Sequence, residues 1–288
     1  MNTFAALSEE HLNQLDQDGV IILPNFISDD FINEIKKDSS SWHKDISFNN
    51  RFSSSIIGNN QWIEHVGLCS LKALQIALDE DLIIFLKKYF KSEISLGSIS
   101  IQRKIFSEKG IPLHSDLGKG LSIFIYLTEP SKKHGITEFI KKSHTSSIDD
   151  SYKIKNKIDD ATYIDLDKSP FSKKDIISTY GGVGTVVIFH RAIWHQLPKF
   201  RNPGREIIMI RYSDTKTASN DHLIKNSFLN LLSPLQKETF LNNSSNKTAP
   251  SLLELGSSSE TNNMYNIPNW KMLFYFIKYK LFSKVKIN

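Results

Sequence analysis

Cysteine is nearly absent from this chain: one residue, Cys69, in 288. That excludes intrachain disulfides and Cys-rich zinc sites, and it fits a reducing cytoplasm. Long apolar runs are missing as well. No uncharged apolar stretch reaches about 18 residues, so no membrane-spanning helix is expected. The opening Met-Asn-Thr-Phe-Ala-Ala-Leu-Ser-Glu-Glu has no basic segment ahead of an apolar one, so no secretory signal is expected. A strong charge of either sign is lacking too. The formal net charge is +5, and Lys271, Lys278, Lys280, Lys284 and Lys286 gather part of it near the C-terminus. A nucleic-acid groove needs basic side chains interleaved with aromatic platforms along the body of the chain, so no nucleic-acid partner is expected. No internal repeat is present.

What is present is enough apolar material for a packed core, 40% of residues. Its rhythm changes along the chain. Ser8 is placed to cap a helix that runs to about Gln17, with Asp18-Gly19 as its stop. Val20-Ile21-Ile22-Leu23 is a short buried strand closed by Pro24, and residues 29–42 form a second helix with acidic residues at its positive end. Leu71, Leu74, Leu78, Leu82, Phe85, Leu86 and Tyr89 keep a helical period. From residue 94 onward the pattern is that of strands: 94–106, 121–127, 136–140, 185–189 and 206–212, rich in β-branched and aromatic residues and bounded by turn formers. Residues 146–179 form a polar insert, read as a lid or binding loop. Helical pattern returns over 222–241, and the Asn- and Ser-rich residues 242–263 read as a linker. Helices first and antiparallel strands afterwards predict an α+β chain built on a β-sandwich or barrel. The expected division is residues 1–220 as the main domain and 221–288 as a C-terminal extension.

The chemistry lies in a split set of side chains. His114-Ser115-Asp116 is followed much later by His195, with Arg205 ten positions beyond. Two imidazoles and one carboxylate with open positions form the facial triad of non-haem Fe(II) oxygenases. An arginine close behind the last ligand offers a planar, permanently charged fork for a carboxylate co-substrate. A His-x-Asp tripeptide occurs readily by chance, and the chain has a second, His43-Lys44-Asp45. His43 follows the Ser-rich end of a helix, where residues usually face water. His114 follows the turn-forming Ser-Glu-Lys-Gly-Ile-Pro segment between two strands, a placement that suits tight geometry. The carboxylate ligand argues against a halogenase, which needs that position open.

Further stretches extend the pattern. They are Leu7-Ser8-Glu9-Glu10 through Asp18-Gly19-Val20 to Pro24-Asn25-Phe26, Leu113 to Asp116, and Lys133-His134-Gly135-Ile136 through Lys142-Ser143-His144. Then come Gly184 to Phe189 ahead of His195, and Asn202-Pro203-Gly204-Arg205. Together and in this order they resemble the phytanoyl-CoA dioxygenase family of Fe(II)/2-oxoglutarate oxygenases, over about residues 7 to 213. The departures are His134 in place of a usual asparagine, Lys141-Lys142 in place of a Pro-Gly turn, and His190 where aspartate is frequent. The resemblance implies a double-stranded β-helix (jelly-roll) core with N-terminal helices and a C-terminal helical appendix. It implies Fe(II) on His114, Asp116 and His195, with 2-oxoglutarate and O2 as co-substrates. Arg205 would grip the far carboxylate, with Arg201 as its competitor. Gln102 and Lys104, on the strand before the metal turn, are in position to reach the co-substrate, and Phe124 to line its pocket. The implied reaction hydroxylates a C–H bond and releases succinate and CO2.

The implied substrate is a small molecule or a lipid-linked one. Members that the chain resembles act on small metabolites, acyl thioesters and the acidic sugar of lipopolysaccharide. Residues 268–288 interleave Trp270, Phe274, Tyr275, Phe276, Tyr279 and Phe282 with lysines, a composition suited to an anionic membrane interface as well as to packing on the barrel. The expected location is cytoplasmic, peripheral at the inner membrane face if the tail binds lipid. Nothing in the sequence sets an oligomeric state. Two rival readings remain: a catalytically silent jelly-roll binding module at a membrane surface, and a cupin-type isomerase, which has no need of Arg205.

Overall fold

A computed structural model describes residues 3–44, 55–57, 60–63, 66–104, 110–116, 120–146, 153–155, 162–200, 204–214 and 222–249. The chain begins α1 (Glu9–Asp18), β1 (Val20–Leu23), α2 (Asp29–Lys44), β2 (Ser55–Ile57), β3 (Asn60–Ile63), α3 (Leu71–Ala77) and α4 (Glu80–Phe90). It continues β4 (Ile94–Lys104), β5 (Ile111–His114), β6 (Leu121–Tyr126), β7 (Glu138–Ile140), β8 (Lys153–Lys155), β9 (Thr162–Ile164) and β10 (Ile176–Ser178). It closes with β11 (Val186–His190), β12 (His195–Leu197), β13 (Arg205–Asp214), β14 (Leu223–Lys225), α5 (Asn226–Asn230), α6 (Pro234–Leu241) and β15 (Lys247–Ala249).

Turn chemistry sets the first elements. Gly19 takes φ 77°, and its N–H donates to the Leu15 carbonyl, ending α1 where the sequence placed the stop. The helical period of residues 71–89 is broken rather than continuous. Asp79 ends the first piece and its carboxylate accepts from the Asp81 and Leu82 N–H groups, capping α4. Apolar spacing could not reveal this, because both helices present the same face to one core.

Among the described residues thirteen strands form two antiparallel sheets, in the orders β1-β11-β6-β13-β4-β3-β2 and β10-β7-β12-β5-β9-β8. The large sheet is covered on both faces. Helix residues Leu15, Ile32, Ile35, Leu74 and Leu86 pack against Ile123, Ile188, Ile208 and Ile210 on its outer side. On its inner side Val187, Phe189, Phe124, Tyr126, Ile207 and Met209 meet Phe139 of the small sheet. Burial on both faces explains why β6 and β11 read as unbroken apolar runs instead of alternating. Two facing antiparallel sheets with helices on one outer face make the double-stranded β-helix core expected. Among the described residues no helix is long and apolar enough to cross a membrane.

Three expectations need correction. Residues 146–179 are not a structureless loop: β9 pairs with β5, and β10 pairs with β7. These strands were missed because each is three residues long and too short to show a period. The helical reading of 222–241 holds only from Asn226, since residues 223–225 form β14, parallel to β15. The start of the supposed linker, residues 242–249, is packed into the fold. Asn246 is buried, donates to the carbonyls of Leu96 and Phe240, and accepts from the His222 N–H. Asparagine looked like a loop former in sequence, while here its amide satisfies three buried backbone groups. Ile224, Leu232 and Phe240 belong to the same core as the N-terminal helices. Residues 250–288, including the aromatic and basic tail, lie outside the described residues.

Candidate metal centre

β5 and β12 are neighbours in the small sheet, and their register places His114 directly opposite His195. The imidazole ring centres are 4.3 Å apart. Asp116, two residues past β5, is brought back by its backbone N–H, which donates to the Arg191 carbonyl at 3.0 Å. Arg191 in turn donates from Nη2 to the Asp116 carbonyl at 3.3 Å. The result is a cluster whose ligand atoms all lie within 4.8 Å of one another.

Both histidines are oriented by backbone. His114 Nδ1 faces the Pro112 carbonyl at 2.8 Å, and His195 Nδ1 faces the Ile193 carbonyl at 3.0 Å. A carbonyl can only accept, so each Nδ1 carries the proton and each Nε2 keeps its lone pair. Those two Nε2 atoms lie 3.9 and 4.0 Å from Asp116 Oδ1. These gaps are too long for hydrogen bonds, so the three donors do not satisfy one another. Two nitrogens and one carboxylate oxygen aimed at a shared point fit a divalent first-row metal such as Fe(II), with further positions left to other ligands. Burial, and after it the neighbouring His114, hold the His195 imidazole down at about 4; Asp116 and the Ile193 carbonyl act in the other direction, and Arg205 adds to the lowering. His195 is therefore neutral at physiological pH, the form that ligates a metal.

Arg205 opens β13 and is buried to 4% exposure. Its Nη2 donates to Thr137 Oγ1 at 2.9 Å, and its guanidinium lies 5.8 Å from the Phe124 and Tyr126 rings. Tyr126 and Thr137 share a hydroxyl contact at 3.0 Å. Arg205 Nε has no hydrogen-bond partner, and among the described residues no carboxylate pairs with this cation. A buried cation with an unsatisfied donor is costly, and an entering carboxylate relieves that cost.

Gln102 is buried, and the register sets it on the same face as Ile207 and Tyr126, so it shares the barrel interior with Arg205 and Phe124. Lys104 pairs with Arg205 through the backbone; its side chain lies outside the described residues, as does Arg201. His43 falls within α2. His134, His144 and His190 take no part in the cluster. Sequence reasoning missed Thr137 and Tyr126 as the partners that position Arg205, and Arg191 as the brace for Asp116. It also missed Tyr163, which β9 places opposite His114 with ring centres 5.7 Å apart. The signal for Tyr126 was its hydroxyl in a strand that is apolar apart from it and Ser122.

No protein-family model matches the chain, and no curated protein matches it in sequence. Solved structures do resemble its fold. The non-haem alpha-ketoglutarate-dependent carbocyclase SnoK from nogalamycin biosynthesis superposes with a TM-score of 0.59 at 16% identity, over 81% of this chain and 94% of that one. HygX from Streptomyces hygroscopicus, with nickel and 2-oxoglutarate bound, gives 0.57 at 15% identity, over 75% and 91%. EctD from S. alaskensis, with 2-oxoglutarate and 5-hydroxyectoine, gives 0.56 at 17% identity, over 74% and 78%. At such identities the likeness establishes the fold.

Proposed function

We propose that the chain is an Fe(II)/2-oxoglutarate-dependent oxygenase that hydroxylates a C–H bond of a small-molecule or membrane-linked substrate. Succinate and CO2 are the co-products, with one oxygen atom of O2 going to succinate and the other to the substrate. The observation that carries this reading is the pairing of two features inside one barrel: the His114, Asp116 and His195 cluster, and the buried Arg205 with no carboxylate partner among the described residues. The fold's likeness to SnoK, HygX and EctD supports it. Metal held by the cluster would supply O2 activation coupled to oxidative decarboxylation of the keto acid.

The chain's own residues do the rest. Pro112 and Ile193 fix the imidazole tautomers, and Arg191 fixes Asp116. Arg205, braced by Thr137, would hold the far carboxylate of 2-oxoglutarate by a two-bond fork. Phe124, Tyr126, Phe139 and Phe189 keep water from the reacting atoms. We assign Gln102 to hydrogen-bonding the co-substrate and Lys104 to a second positive charge beside it. All these residues fall within 1–220, the part we assign to catalysis. We assign the lysine- and aromatic-rich residues 268–288 to an anionic membrane surface on the cytoplasmic side. A silent binding module would have lost a ligand or the guanidinium, and this chain has kept both. A cupin isomerase leaves the buried Arg205 unexplained.

Anaerobic Fe(II) and 2-oxoglutarate added together should give a weak visible charge-transfer band, and both His114→Ala and Asp116→Ala should abolish the band and substrate-dependent succinate formation. A native protein without the band, or either variant with full turnover, would end this reading.

A further inference from the structure

Arg205 is not the only guanidinium on the inner face of β13. Alternate residues of a strand share a face, so Arg211 points the same way as Ile207 and Met209, which line the barrel interior. Across the sheet Arg211 stands opposite Ser122 of β6 and Ser98 of β4. Ser122 pairs in turn with Phe189, whose ring lies 5.4 Å from the His195 imidazole. Arg211 lies six residue steps along the strand from Arg205, a span of about 20 Å.

Arg191 folds over this same row. Its N–H donates to the Gly120 carbonyl at 3.0 Å, its carbonyl accepts the Asp116 N–H, and its Nη2 reaches the Asp116 carbonyl. Its stem lies against Gly120, whose Cα also faces the Tyr212 carbonyl, the residue after Arg211. The Arg191 side chain and the backbone next to Arg211 thus flank Gly120, close to a metal-ligand candidate. Burial lowers the Arg191 pKa, and the charge on Arg211 pushes it the same way, with Asp116 opposing.

The donors here are left over. Among the described residues Arg191 Nε, Arg211 Nε and Ser122 Oγ are buried without a hydrogen-bond partner. Among the described residues no carboxylate pairs with Arg211. Neighbouring cations with unused donors are unfavourable until an anion joins them, and the guanidinium fork matches an oxyanion. On the oxygenase reading, on which this inference rests, 2-oxoglutarate has one carboxylate for the metal and one for Arg205. A third anion acceptor is therefore surplus to the co-substrate. We propose that Arg191 and Arg211, with Ser122, form an oxyanion subsite that takes a carboxylate or phosphate group of the substrate and sets its C–H bond beside the metal.

The test uses the full-length protein with Mn(II) in place of Fe(II) and saturating 2-oxoglutarate, because Mn(II) relaxes nearby nuclei without turnover. Inorganic phosphate and acetate serve as probes, read by paramagnetic relaxation of the phosphorus nucleus and of the methyl protons. Relaxation of either probe in the native protein is expected, and which one responds identifies the oxyanion. Arg191 also braces Asp116, so Arg211 is the residue to vary. Arg211→Gln should weaken probe binding about tenfold, the loss of one charge-assisted contact. Arg211→Lys should restore part of it, and 2-oxoglutarate relaxation should persist in both variants, showing an intact fold and centre. Probe relaxation that is indifferent to Arg211→Gln, or missing in native protein that does relax 2-oxoglutarate, overturns the subsite. Native protein that relaxes no 2-oxoglutarate overturns the oxygenase reading, and with it the assignment of this anion to a substrate.

Discussion

Histidine protonation at the centre is decided residue by residue. Burial first, and then His114, keep His195 at about 4. His190 is also held at about 4, by burial, then His144, then Arg191. An unfolded imidazole titrates near 6.5. Above that value both states are neutral, and these groups add no pH dependence. Between about 6.5 and about 4 the unfolded chain takes up protons that the folded chain refuses, so stability is present above the window and lost as pH falls through it. The urea midpoint of metal-free protein should therefore drop between about pH 7 and about pH 5, and His190→Asn should shrink that drop. A variant that falls as steeply as the native protein would show that His190 is not the cause. At this scale much of the site was legible, because His114, Asp116, His195 and Arg205 are chemically distinctive and appear in an ordered series. Thr137, Tyr126 and Arg191 were not, because their roles come from cross-strand partners that no local pattern encodes. Lys142 is an instructive case: it takes φ 64°, the left-handed conformation that glycine adopts without strain, at the site where the resembled family has Pro-Gly. The turn here is held by the Lys142 N–H on the Asp18 carbonyl and by the Lys141 ion pair with Asp18.

Among the elements, the long apolar strands were readable and the short ones were not. Strands β6, β11 and β13 announced themselves through runs of Ile, Val and Phe, since both their faces are buried. Strands β5 and β12, which carry the two histidines, have four and three residues, and β5 even contains Pro112 in a stretch that reads as a turn. Their place in the small sheet comes from pairing with β7 and β9, not from their own propensity. The same applies to residues 242–249, where Asn246 ties β4 to α6. Removing its amide takes a donor from the carbonyls of Leu96 and Phe240 and an acceptor from the N–H of His222, with only the longer Asn243 Nδ2 contact at 3.4 Å remaining on Leu96 from this stretch. Asn246→Ala should therefore cost about 2–3 kcal/mol, measured by chemical denaturation. A loss below about 0.5 kcal/mol, the range of ordinary surface substitutions, would return this stretch to the status of a linker.

For the whole molecule, one sheet separates two kinds of core. Outside it an aliphatic layer holds the helices. Inside, aromatic rings surround the polar groups of the centre. The first provides most of the apolar burial that stabilises the fold, and the second encloses the candidate centre. Membrane contact is a question at this scale as well. If residues 268–288 seat the protein on lipid, full-length protein should float with anionic liposomes and a chain ending at Asn263 should not. Equal recovery of the two would remove the membrane from the proposal. The sequence by itself determined the class of fold, through its change of rhythm from helices to strands, and it nominated the ligands by type, because periodicity and side-chain chemistry are local properties. Only the tertiary structure decided which rows of side chains face inward and which short strands lie beside each other. It alone brought His114 opposite His195, left Arg205 buried with no counter-ion among the described residues, and set Arg191 and the backbone beside Arg211 on either side of Gly120. Register between strands distant in sequence depends on the packing of the whole barrel.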